Sequence, residues 1–181
     1  MSLRRFYKQW GLCLIAALVA YLFAWESFYT VNEQDRGVIL RNGKVLTEAQ
    51  PGMGWKIPLA DQLISLSMQN NLLYWKAFQA RTQSDLMELE VSIVWRIAPS
   101  EATTMYKKYT TLEALENTLL IPKATEQIRL TLSGYDTEQA LKNRQALINS
   151  ISKSIRTTID GPIIIERIYI GNVHMQSISI E

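Results

Sequence analysis

Residues 87–97 read MELEVSIVWRI, and this stretch decides the fold of the chain. Its apolar side chains occupy every odd position from Met87 to Ile97, while Glu88, Glu90 and most other even positions are polar. A period of two over this length indicates a half-buried strand of an antiparallel sheet. Pro99 follows and should end the strand, because proline has no N–H for a ladder.

The residues before this strand also predict short strands. Asn42-Gly43 separates GVILR from KVL and is typical of a tight hairpin, because both turn positions need a positive φ. PGMGWKIP, residues 51–58, holds two glycines and two prolines and is expected to form an irregular loop. Residues 63–73 predict one or two strands with a break at Asn70-Asn71.

After Pro99 the spacing of apolar residues becomes helical. Ser100 is expected to cap a short helix that runs through Tyr109, and Thr110 with Glu113 has the spacing of a capping box for a second helix. Pro122 lies inside that second helix and should kink or split it, and Gly134 should end it.

A third helix and a closing strand complete the pattern. Asp136 with Gln139 has capping-box spacing, and Gly161-Pro162 is a stop signal. The isoleucine-rich stretch 163–180 predicts the last strand. Strands, then helices, then a closing strand indicate an α+β domain, here assigned to residues 30–181.

Residues 1–29 are interpreted as a cytoplasmic stub and a transmembrane anchor. Arg4, Arg5 and Lys8 precede an uncharged run, residues 9–25, and a helix over residues 6–29 would be long enough to cross a bilayer core of about 30 Å. The basic flank predicts a cytoplasmic N-terminus, with the domain on the outer (periplasmic) face if the membrane is a bacterial inner membrane. A cleaved signal peptide and a buried core helix are the alternatives. The anchor residues are Trp10, Leu14, Leu18, Leu22 and Trp25.

Met53, Trp55 and Ile57 make PGMGWKIP a possible membrane-contacting loop. A tryptophan ring is favoured at the level of the lipid headgroups, and the loop follows the anchor by about two dozen residues. The alternative is that Trp55 is a core residue of the sheet. The sequence leaves these two interpretations equally open.

Composition argues against most chemical functions. The chain has 181 residues, a net charge of +2 and a single histidine, His174, so a dense basic surface for nucleic acid and a multi-histidine metal site are not expected. Cys13 lies in an apolar run, where its thiol would be a poor nucleophile. Glu88 and Glu90 share one strand face and could act as an acid and a base, but a solvated or subunit-facing role is the simpler interpretation. We therefore predict no catalytic, cofactor-binding or metal-binding residues.

The stretches YTVNEQDRGVILRNGKV and PGMGWKIPLADQLISLSMQ, with the strand at 87–97 and the helices after it, resemble the stomatin/prohibitin/flotillin (SPFH, band 7) family. The resemblance extends from about Tyr29 to the end of the chain. It implies a non-enzymatic scaffold that forms ring- or cage-like homo-oligomers, or assemblies with related SPFH subunits, and organises membrane lipid and protein. In bacteria some members enclose or regulate a membrane-anchored AAA protease.

The family's C-terminal coiled-coil extension does not follow the domain in this sequence, so a minimal or truncated form is expected. This leaves two alternatives. One is an adaptor or inhibitor of a single partner, such as a membrane protease or a host SPFH complex, and the other is a membrane-tethered hydrolase. The expected partners remain membrane lipid, further copies of the chain or related subunits, and a membrane AAA protease, with no nucleic acid and no cofactor.

Overall fold

The computed structural model describes residues 14–18, 21 and 24–175, with side chains up to residue 171. Two compact units meet in the sequence at Ser67 and Met68, and each has its own sheet structure. In the first unit, residues 14–18, 21 and 24–26 are helical and the strands begin directly after them.

The first unit contains five strands in two antiparallel sheets. Strand β1 (Phe28–Val31) pairs with β4 (Gly52–Trp55), and β2 (Asp35–Arg41) lies between β3 (Lys44–Ala49) and β5 (Asp61–Ser67). Val31, Ile39 and Ala49 form a small buried cluster against which Tyr29 and Leu63 pack. Burial of these apolar groups stabilises a sheet that is otherwise too small to fold by itself.

The Asn42-Gly43 hairpin is confirmed, because it joins β2 and β3 and both residues have a positive φ, 50° and 76°. The prediction of an irregular loop at PGMGWKIP is wrong for its central part. Residues Gly52–Trp55 form β4, in register with β1. Tyr29 crosses Gly54 so closely that a Cβ there would lie 2.2 Å from the tyrosine ring. Gly54 therefore allows a close contact between two strands. The local sequence, with its glycines and prolines, resembles a turn because it does not show this contact.

The second unit is built on a three-stranded antiparallel sheet with the order β6 (Asn71–Arg81), β7 (Leu86–Ile97) and β8 (Ile163–Met175). Strand β7 confirms the alternation at 87–97, because every odd position from Met87 to Ile97 is fully buried and every even position is half-buried. The predicted break near Asn70 separates β5 from β6. The closing strand is confirmed as far as Met175, and residues 176–181 lie outside the described part.

Helices follow β7 as predicted, with small differences in their starts. A 3-10 turn (Pro99–Glu101) precedes helix α1 (Ala102–Tyr109), and Ser100 is not its cap. Thr111, not Thr110, caps helix α2 (Leu112–Leu115) by accepting the N–H of Ala114 at 3.1 Å. Thr110 instead ends α1 in a left-handed conformation with φ 65°.

Near Pro122 the second helix changes its hydrogen-bond pattern but its helical backbone continues from Leu112 to Ser133. A π-helical turn, Glu116–Leu120, joins α2 to helix α3 (Ile121–Ser133), and Pro122 lies in the first turn of α3, where its missing N–H is tolerated. The wider turn relieves the clash that a proline ring makes with the preceding turn of an α-helix. Gly134 ends α3 as expected.

The third predicted helix is two helices, α4 (Thr137–Lys142) and α5 (Arg144–Thr158), with a break at Asn143. Asp136 caps α4 by accepting the N–H of Glu138. The helices bury one apolar face against each other and against the sheet, which together form the core of the second unit. The fully buried helical residues include Leu115, Leu120, Ile128, Leu132, Leu147, Ile151 and Ile155.

Candidate membrane-contacting surface

The side chains of the second unit that could act as an acid, a base or a metal ligand form ordinary structural contacts. Glu90 accepts a hydrogen bond from the hydroxyl of Tyr74 at 2.8 Å, and this contact raises the pKa of Tyr74. Glu88 accepts the side-chain amide of Gln79 at 3.5 Å. Among the described residues, no three His, Cys, Asp or Glu side chains are placed to hold a metal ion. His174 lies in β8 but its side chain is outside the described part, as is Cys13.

Large exposed apolar side chains are concentrated in the first unit instead. Those on the helical residues before β1 are Leu14, Ile15, Leu18, Tyr21 and Trp25. Those on the strands and loops that follow are Phe28, Leu46, Met53, Trp55, Ile57 and Leu59. A high share of exposed large apolar side chains on a small unit is a reason to look for an interaction site among them.

Strands β1 and β4 form a two-stranded ribbon that is apolar on both faces. One face carries Tyr29 and Val31, which pack on the buried cluster of the first unit. The other face carries Phe28 opposite Trp55, and Met53 opposite Thr30. Directly opposite residues of an antiparallel pair project from the same face, so Phe28, Met53 and Trp55 form one exposed surface, here named the ribbon face. Trp55 is 63% exposed, so its interpretation as a core residue is wrong.

The ribbon face is joined to the helical residues with almost no connecting loop. Residues 24–26 are helical, Ser27 is a turn, and Phe28 already belongs to β1. The carbonyl of Ser27 accepts the backbone N–H of Lys56 at 2.7 Å, which fixes the end of β4 beside this junction. Trp25, which is 73% exposed, is therefore followed directly by the apolar ribbon face.

A turn after β4 extends the exposed apolar surface. Leu59 has a left-handed backbone, φ 66°, and its side chain is 88% exposed. That conformation is costly for a leucine, so the turn must be held by other contacts.

Asp61 supplies those contacts. Its carboxylate accepts the backbone N–H of Ile57 at 2.9 Å and two bonds from the guanidinium of Arg41, at 2.7 and 2.9 Å. These donors, led by Arg41, lower the pKa of Asp61 to about 2. The ion pair between Asp61 and Arg41 thus lies within one chain.

The residues expected in the anchor and the loop are only partly in the described range. Trp10 and Leu22 lie outside it, whereas Leu14, Leu18 and Trp25 are exposed on helical residues. Met53, Trp55 and Ile57 are exposed on β4 and just after it. Within the described residues, no helix has both the length and the apolar character needed to span a bilayer. Phe28 and Leu59 were missed from the sequence, because only the β1–β4 pairing and the turn geometry reveal their exposure.

The model of the SPFH domain / Band 7 family matches residues 29–180. Three curated relatives show weaker, partial similarity. Protein HflK of Haemophilus influenzae is 26% identical over 85 residues, 46% of this chain and 21% of the relative. Protein HflK of Vibrio cholerae is 34% identical over 59 residues, 33% of this chain and 15% of the relative. The modulator of FtsH protease HflK of Escherichia coli is 25% identical over 89 residues, 49% of this chain and 21% of the relative. The matched segments thus span about a fifth or less of these relatives.

Proposed function

This chain belongs to the SPFH domain / Band 7 family, and we propose that it is a non-enzymatic membrane scaffold that regulates a membrane protease. One relative is named a modulator of the FtsH protease, which supports the choice of a protease as the regulated partner. The scaffold is built from several copies of this chain or of related subunits. Membrane lipid is its other partner.

The observation that carries the proposal is the ribbon face next to the helical residues. Phe28, Met53 and Trp55 project from a strand pair whose other face is already packed on the buried cluster. These three side chains therefore do not contribute to the core of the first unit. Aromatic rings are favoured at the boundary between lipid headgroups and hydrocarbon. The ribbon face therefore rests on the outer leaflet beside the anchor, with Ile57 and Leu59 at the same level.

The anchor and its orientation are part of the same proposal. Residues 9–25 cross the membrane, and Arg4, Arg5 and Lys8 remain on the cytoplasmic side. An alkaline phosphatase fused after Glu181, which works only outside the cytoplasm, would then be active. Activity of a cytoplasmic reporter alone at that position would contradict the orientation.

Lipid contact can be measured with a spin label. Cys13→Ser removes the only cysteine, and Trp55→Cys then places a nitroxide on the ribbon face of the full chain in proteoliposomes. We expect collisions with oxygen, which concentrates in lipid, to exceed collisions with a water-soluble nickel chelate. The matched control is Leu72→Cys in β6, since Leu72 is 62% exposed in the second unit and should favour the nickel chelate.

Equal accessibility of both labels to the nickel chelate would contradict lipid contact by the ribbon face. A label at residue 55 that is shielded from both reagents would indicate a protein partner on that face. Either result leaves the family assignment intact and removes the membrane-contacting role.

A further inference from the structure

The second unit has a groove beside strand β6 and helix α3. None of its lining residues belongs to the ribbon face. The groove has a volume of about 430 Å³, within the usual range of about 300–1,000 Å³ for ligand sites. Gln79, Ala80 and Arg81 of β6 line it on the strand side, together with Leu86 at the start of β7, and Arg129, Leu130 and Ser133 line it on the helix side.

Strand β6 is an edge strand along this groove, since the sheet order is β6, β7, β8. The backbone N–H of Thr82 bonds the carbonyl of Asp85 at 2.9 Å at the end of the β6–β7 hairpin. Hydrogen-bonded and non-hydrogen-bonded pairs alternate along an antiparallel ladder, so the Ala80–Met87 pair is hydrogen-bonded and the Arg81–Leu86 and Gln79–Glu88 pairs are not.

The backbone groups of Gln79 and Arg81 therefore point away from β7, into the groove. Each of these residues presents one N–H and one carbonyl to any chain laid beside the strand. Such an edge is a template for one more strand.

The positive charge of the groove indicates which kind of peptide could pair with β6. Arg81 and Arg129 are exposed, and neither forms an ion pair with an acidic side chain in the described part of the protein. The guanidinium of Arg129 lies 5.9 Å from the ring centre of Phe78, a contact that leaves its N–H groups available. Leu130, which is 58% exposed, adds an apolar surface to the lining of the groove. Glu88, bonded to Gln79, is the adjacent acid on β7 and does not line the groove.

We propose that this groove binds an extended acidic peptide segment of a partner protein, added as a fourth strand along β6. Backbone bonds to Gln79 and Arg81 hold the segment in register, its carboxylates bind Arg81 and Arg129, and an apolar side chain packs on Leu130. The proposal does not depend on the membrane-contacting role of the ribbon face.

The test uses the full chain in detergent and a fluorescein-labelled heptapeptide of alternating valine and glutamate, with binding followed by fluorescence anisotropy. We expect Arg81→Gln and Arg129→Gln each to raise the Kd about tenfold, as is typical for loss of a charge-assisted hydrogen bond. Arg144→Gln is the matched control, because Arg144 is an exposed arginine of α5 outside the groove. Unchanged melting temperatures would show that the variants remain folded.

The strand geometry is tested separately from the charge. Gln79→Pro removes an outward N–H without removing a bond to β7, so it should weaken binding more than Gln79→Ala does. A peptide N-methylated at alternate residues should bind poorly to the wild type. A peptide with glutamine in place of glutamate should also bind weakly.

Three results would overturn the proposal. The first is an equal rise in Kd for Arg81→Gln, Arg129→Gln and Arg144→Gln. The second is that the N-methylated peptide binds as tightly as the unmethylated one. Both results would indicate non-specific charge attraction. The third is that Arg81→Gln and Arg129→Gln weaken binding to phosphatidylglycerol vesicles but not to the peptide. The groove would then recognise an anionic lipid.

Discussion

At the scale of single residues, Asp61 shows how one side chain positions an exposed surface. It joins the guanidinium of Arg41, twenty residues away, to the backbone of Ile57, and so holds the turn that carries Leu59. Its side chain is only 3% exposed, whereas that of Arg41 is 41% exposed.

The lowered pKa of Asp61 predicts a pH dependence. A carboxyl group whose folded pKa is about 2, against an ordinary value of 3.8, stabilises the fold above its unfolded pKa and loses that contribution as pH falls through the folded pKa. Asp61→Asn should therefore lower the melting temperature most above pH of about 4, and the gap to the wild type should narrow as pH falls to about 2. Glu138→Gln is the control, because its ion pair with Lys142 is exposed and contributes little. A gap between Asp61→Asn and wild type that is constant with pH would show that the charge of Asp61 is unimportant.

Two valines of β7 test the assignment of its faces. Val91 is fully buried, while Val94 is half-buried on the opposite face, between Leu72 of β6 and Arg167 of β8. Val91→Asp buries an unpaired charge and should lower the free energy of unfolding by about 3 kcal/mol or more. Val94→Asp lies beside a cation and should cost about 1 kcal/mol or less. Denaturant unfolding measures both, and equal losses would refute the assigned faces.

At the scale of elements, the β1–β4 ribbon depends on the absence of a side chain at residue 54. A Cβ there would meet the ring of Tyr29, which packs on the cluster of Val31, Ile39 and Ala49. Tyrosine cannot move aside without losing that packing. The ribbon therefore exists because a glycine on one strand matches an aromatic ring on the other.

Gly54→Ala should lower the free energy of unfolding by about 1–3 kcal/mol, the usual cost of overpacking. Gly134→Ala is the matched control, since Gly134 has an ordinary φ of −83° and its added Cβ would lie 3.4 Å from the nearest atom. It should change stability by less than about 0.5 kcal/mol. Thermal unfolding of the two variants compares them directly, and similar losses would mean that Tyr29 yields easily.

At the scale of the whole molecule, the proposed scaffold requires assembly. Strand β8 is the other edge strand of the second sheet, and anchoring every copy in one membrane raises its effective concentration. Contacts between unlike surfaces of identical subunits close into rings when their rotation permits. We expect mass photometry of the chain in mild detergent to show particles of many times 20.7 kDa. Particles that remain monomeric in detergent and in native lipid would favour the single-partner adaptor instead.

The sequence by itself determined the elements whose pattern is local. The alternation at 87–97, the positive φ at Asn42-Gly43 and the apolar faces of the helices follow from neighbours in the chain, so β7, the first hairpin and α3 to α5 were largely predictable. Met53 and Trp55 were singled out from the sequence, but whether Trp55 lies in the core or at the surface was left open there, and only the structure decides it.

Only the tertiary structure decided which distant segments pair. Strand β4 exists because Gly54 fits beneath Tyr29, and Phe28 joins the ribbon face because β1 is its partner. Arg41 reaches Asp61 because β2 and β5 are adjacent in one sheet. The groove beside β6 requires an edge strand and the close approach of α3. Strand pairing and exposure depend on contacts between residues far apart in sequence, and such contacts leave no periodic pattern in any local stretch.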